Sequence, residues 1–150
     1  MKRFFLALAL FTAAVATMAA ADMTQVWGQI KETKGFFVDK VNDDKAHANG
    51  FTDLLTAINT APTSADIKNV NNLLATIERN QKITTVSQQG IKISIYMAPA
   101  SQDGKLFKLL MAVEKDDNAD KLLAVLYGTC TQEGMLKAIQ SMSLVDIIGG

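Results

Sequence analysis

The chain has 150 residues, with 15 basic, 15 acidic and one histidine, a net charge of zero and 49% apolar residues. That length suits one domain with a sizeable core, and the even charge leaves no phosphate-neutralising surface, so nucleic acid is not an expected partner. The single cysteine, Cys130, excludes a disulfide within the chain.

The first 21 residues read as a secretory signal peptide. Lys2 and Arg3 precede an apolar run over 4–15 broken only by Thr12, and Ala19-Ala20-Ala21 follows. Small residues Ala19 and Ala21 at positions −3 and −1 place the cut after Ala21, with Asp22 as the new N-terminus. The apolar run is shorter than the roughly 20 residues a bilayer span needs, which favours cleavage over a retained anchor. No cysteine stands at the cut, so a lipoprotein is not expected. Loss of Lys2 and Arg3 leaves 13 basic against 15 acidic residues, a net charge of −2, on a single domain over 22–150. No later stretch reaches membrane-spanning length. The expected product is soluble, periplasmic or extracellular, and not inserted in a membrane after signal cleavage.

Along that domain, Val26, Trp27 and Ile30 predict a helix over 24–33 behind a Thr24 cap, ended by Gly35. Phe36-Phe37-Val38 and Val41 fit a short strand or an apolar turn, and runs this short do not separate the two. Residues 42–50 are polar and read as a loop. Leu54, Leu55 and Ile58 predict a short helix stopping before Pro62. Beyond Pro62, with Thr63 and Ser64 as caps, Ile67, Val70, Leu73, Leu74 and Ile77 form one apolar stripe, so this helix should lie on a flat surface.

The strands come next. Ile83 and Val86 open one, and after Gly90 the residues Ile91, Ile93, Ile95 and Met97 alternate with Lys92, Ser94 and Tyr96 until Pro99. An Asp103-Gly104 turn leads to Phe107, Leu109, Met111 and Val113, alternating with Lys108 and Leu110. A polar turn over 114–120 precedes a continuously apolar strand over 122–127, expected to be central and ended by Gly128. A last helix from about Thr131 carries Met135, Leu136, Ile139 and Met142. The expected fold is α+β: an antiparallel sheet of three to four strands over about 82–128, packed by helices from the N-terminal half and a C-terminal helix.

The succession Gly90-Ile91-Lys92-Ile93-Ser94-Ile95-Tyr96, Lys105-Leu106-Phe107-Lys108-Leu109-Leu110-Met111 and Leu123-Ala124-Val125-Leu126-Tyr127-Gly128, followed by a helix, resembles the C-terminal half of small exported Bacteroidota proteins in the domain-of-unknown-function class numbered 4252. The resemblance implies an exported α+β protein of unknown activity and transfers no catalytic residues.

Compact catalytic signatures do not occur. His47 is the only histidine, so a two-histidine metal motif is impossible and any Ser-His-Asp set rests on one residue in a polar segment. Cys130 lies before the last helix but needs an activating partner, and a packed structural thiol is the simpler reading. Asp116, Asn118 and Asp120 match positions 1, 3 and 5 of an EF-hand loop, yet Lys121 and Tyr127 stand where Gly and a bidentate Glu belong. Asp43 and Asp44 lack a third ligand. Trp27, Met97, Met111 and Met135 fall on apolar stripes and read as core. No cofactor motif, catalytic residue or metal ligand is assigned. The reading favoured is a non-enzymatic binding or interaction protein of the cell envelope, its partner an envelope protein or a small apolar ligand. The alternative is a small hydrolase built from scattered carboxylates or from Cys130 and His47.

Overall fold

The computed structural model describes residues 22–88, 90–117 and 120–141. The expected signal peptide, with Ala19 and Ala21, and Met142 of the last stripe lie outside the described residues. The fold is α+β, and the sheet has six strands, not three to four.

The cap of helix α1 (Met23–Lys31) lies two residues earlier than expected, at Asp22 and not Thr24. Asp22 accepts from the Thr24 amide at 2.9 Å while its own amide donates to Gln25 Oε1 at 3.2 Å, a reciprocal capping box. Thr24 is thereby released for another role, described below.

Strand β1 (Phe37–Lys40) resolves the ambiguity of that apolar run in favour of a strand. The polar stretch expected as a loop contains helix α2 (Asp43–Ala48), capped by Asn42, which accepts from the Lys45 amide at 2.9 Å. Its one buried residue, Ala46, is too little apolar signal to show a helical period.

Leu54, Leu55 and Ile58 lie on strand β2 (Asp53–Asn59), not on a helix. The offsets that suggested a helix arise because β2 is covered on both faces: Leu54 and Ile58 turn to one side, and Leu55 and Ala57 to the other. Ladder pairing to β1 and to β6 overrides the local pattern.

Helix α3 (Ser64–Ala75) has the expected Thr63 cap, here a second capping box with Asp66. A 3₁₀ turn at Arg79–Gln81 then leads to β3 (Lys82–Gln88), β4 (Ile91–Pro99), β5 (Leu106–Asp117) and β6 (Asp120–Thr131). These four form an antiparallel meander. Strand order across the sheet is β1-β2-β6-β5-β4-β3, all neighbours antiparallel. The segment carrying α3 takes the chain from β2 across the sheet to its far edge.

β6 is central as expected, with Leu123 to Leu126 buried on both sides. It does not end at Gly128. A Cβ there would stand 2.5 Å from the Asp53 carbonyl oxygen and 2.7 Å from the Phe51 ring, so glycine permits a close approach inside the strand. Helix α4 (Gln132–Ser141) follows, with Thr131 Oγ1 accepting from the Gly134 amide at 3.0 Å. Leu136 is half exposed, and Met135 and Ala138 are the ones turned to the core.

Two hydrophobic layers result. α1 and α3 cover one face through Met23, Val26, Trp27, Ile30, Val70 and Leu74, over Leu110, Ala112, Leu123 and Val125. α2 and α4 serve the other through Ala46, Met135 and Ala138, over Leu54, Ile95, Leu109, Met111 and Leu126. Helices lie on both faces of the sheet, and its two edge strands are β1 and β3.

Candidate functional site

The residues considered for chemistry do not assemble. Cys130 is fully buried on β6, opposite Phe107, and burial pushes its thiol up to about 11. At neutral pH it is a protonated, packed thiol and a poor nucleophile. His47 is exposed on α2, and no hydrogen bond joins it to Cys130. Among the described residues no three His, Cys, Asp or Glu side chains group as a metal site. Asp116 pairs with Lys121 at 3.8 Å across the β5–β6 hairpin, both side chains exposed.

Among the described residues two carboxylates are perturbed, both downward. The Thr63 amide, donating to Asp66 Oδ2 at 2.9 Å, is the main cause for Asp66; the Thr63 hydroxyl and Asn59 Nδ2 add to it. The Ser101 hydroxyl and the Lys105 amide do the same to Asp103 in the β4–β5 turn. Asp66 closes the capping box of α3, and Asp103 accepts from the Ser101 hydroxyl and the Lys105 amide within its turn.

Trp27 stacks on Tyr127 with ring centroids 5.4 Å apart and an interplanar angle of 11°. Thr24 Oγ1, freed from capping, meets Tyr127 Oη at 2.9 Å and accepts from Lys108 Nζ at 3.0 Å. The cluster pins α1 to β5 and β6. Trp27 is thus core, as its stripe predicts, and not an interface anchor.

The unusual surface is at the sheet edges. Of the five large apolar side chains exposed among the described residues, four lie on edge strands: Phe37 at 78% and Val38 at 42% on β1, Ile83 at 46% and Val86 at 41% on β3. On β1 the cause is local. Gly35, at φ +98°, turns the chain out of α1, with Asn59 Nδ2 so close that a Cβ would stand 3.1 Å from it. Phe36 then packs on the α1–α3 layer, and the next residue, Phe37, projects from the opposite face beside Ile58.

There a cavity of about 640 Å³ opens between β1, β2 and the start of α2. Phe37, Val41 and Ile58 supply its apolar lining, and Asp39, Lys40 and Lys45 supply its charges. It combines an open strand edge with an apolar floor. Such a groove suits an extended chain that adds to the sheet and seats alternate side chains. Phe37 was not singled out in the sequence, where three apolar residues in a row hide which one faces outward.

No family model, curated protein or solved structure matches this chain. Among the described residues no helix is long and apolar enough to cross a membrane.

Proposed function

We propose that this is an exported, non-enzymatic interaction protein that binds an extended segment of an envelope protein along β1, with an apolar side chain of the partner between Phe37 and Ile58. The carrying observation is the concentration of exposed apolar side chains on the two edge strands, with Phe37 the most exposed of them beside a 640 Å³ cavity. Backbone pairing to β1 supplies register, and the cavity supplies selection between side chains. Asp39, Lys40 and Lys45 at its rim favour a partner segment with charges of both signs flanking an apolar residue. A small apolar ligand is less well served, because charged side chains share the lining. Export rests on the signal peptide, and kinship with the class numbered 4252 is part of the same proposal.

Crosslinking pull-down from the cell envelope tests it with three forms of the protein: wild type, F37D, and the double variant H47A/C130A. The expected result is one partner recovered by wild type and by the double variant and lost with F37D. Recovery unaffected by F37D overturns the β1 site. Loss with a folded H47A/C130A protein favours the hydrolase alternative.

A further inference from the structure

The second edge has a different character. Among the described residues β3 pairs only with β4, on one side, and its residues from Lys82 to Ser87 are all exposed. Open strand edges are normally guarded by charge, proline or a bulge. β3 has a lysine and a register shift, and both stand at its beginning, between Lys82 and Thr84. From Thr84 to Gln88 the ladder is regular and carries no charge, no proline and no glycine.

We propose that β3 is a self-association edge, on which a second copy of this chain pairs antiparallel through Thr84–Gln88 about a two-fold axis at Val86. The regular stretch is five residues long, so a symmetric antiparallel pairing of it sets Val86 opposite Val86, Thr85 opposite Ser87, and Thr84 opposite Gln88. Val86, 41% exposed in the single chain, then meets its own copy on the side where Ile93 already neighbours it. Thr–Ser and aliphatic cross-strand pairs are favourable, and this register brings no charges into apposition. The result is one continuous sheet of twelve strands, doubling the six of one copy.

Pairing β3 with the β1 edge of another copy is the competing arrangement. It is head-to-tail and does not close, giving filaments, and it sets Asp39 and Lys40 against an uncharged strand. The two-fold pairing closes as a dimer. β1 stays open in it, so this inference and the partner site at Phe37 stand or fall separately.

Sedimentation velocity on the purified protein tests it, with V86K, with V86E, and with the two variants mixed in equal amounts, each checked for fold by circular dichroism. A dimer is expected for wild type. Each variant alone should dissociate, its dissociation constant raised by about tenfold or more, because like charges sit directly opposite. The mixture should restore the dimer. A monomeric wild type overturns the inference, as do species growing beyond the dimer, a dimer indifferent to both variants, or a mixture that remains monomeric. If V86K fails to fold, T85K/S87K and T85E/S87E, each alone and then mixed, provide the same cross-strand test from the opposite face of β3.

Discussion

Cys130 shows how burial decides chemistry at a single residue. Its thiol is raised from an ordinary value of 9.0 to about 11 because the thiolate would lose its hydration. The folded state therefore holds the proton more tightly than the unfolded chain does. The stabilising contribution is complete below about 9 and is lost as the pH rises toward about 11. In C130A the stability lost between about pH 9 and 11 should accordingly disappear, read as the slope of unfolding free energy against pH whatever the baseline cost of the smaller side chain, and a thiol reagent at neutral pH should modify the native protein only as fast as it unfolds. Asp66 has the opposite sign. Its carboxyl is held low by the Thr63 amide, so its contribution exists above the ordinary carboxylate range and disappears as acid protonates the folded form. T63A should remove about 1 kcal/mol of stability in urea unfolding by deleting the hydroxyl that accepts from the Asp66 amide, and most of the acid dependence should persist in it, because the Thr63 amide that holds the Asp66 carboxyl low remains. At the N-terminus, a cut after Ala21 keeps the Asp22 cap of α1 intact, whereas a cut one residue later removes it. N-terminal sequencing of the exported protein should read Asp-Met-Thr. A start at Met23 would contradict this.

The contact between α4 and the loop after α2 is a meeting of two glycines. A Cβ on Gly134 would run into the Gly50 carbonyl oxygen, and a Cβ on Gly50, at φ +94°, would run into the Gly134 carbonyl oxygen. Alanine in a helix ordinarily gains about 1 kcal/mol over glycine. Here backbone stands in the way, so G134A is expected to destabilise by about 1–3 kcal/mol in urea unfolding; a gain in stability would show that α4 does not approach Gly50 this closely. Elements with one clear period were legible in the sequence. Ile91, Ile93, Ile95 and Met97 mark β4 because they recur at every second residue, although Ser94, Tyr96 and Ala98 on its other side are buried too, and Thr63 marks the start of α3 because capping is local. β2 was not, because cover on both faces buries Leu54 and leaves Leu55 half-buried, which erases the alternation. α2 was hidden by its polarity, and β1 by its four-residue length.

Strand number is a property of the whole molecule. β2 joins the sheet by pairing with β6, Asp53 opposite Thr129, a partner far away in sequence that no local period announces. The same pairing explains why the candidate site was invisible beforehand. Phe37 is exposed because β1 adds to β2 and becomes an edge, and Val86 is exposed because the α3 crossover delivers β3 to the opposite edge. With helices over both faces, the edges are where this fold can bind other chains by backbone pairing. Site-specific photocrosslinking in the cell envelope tests that claim most directly, with the crosslinker placed in turn at positions 37, 47, 86 and 105. The account predicts a crosslink from position 37 to another envelope protein, a crosslink from position 86 to a second copy of this chain, and neither from positions 47 and 105. Crosslinks to an envelope protein from position 47 or 105, with position 37 silent, would contradict it.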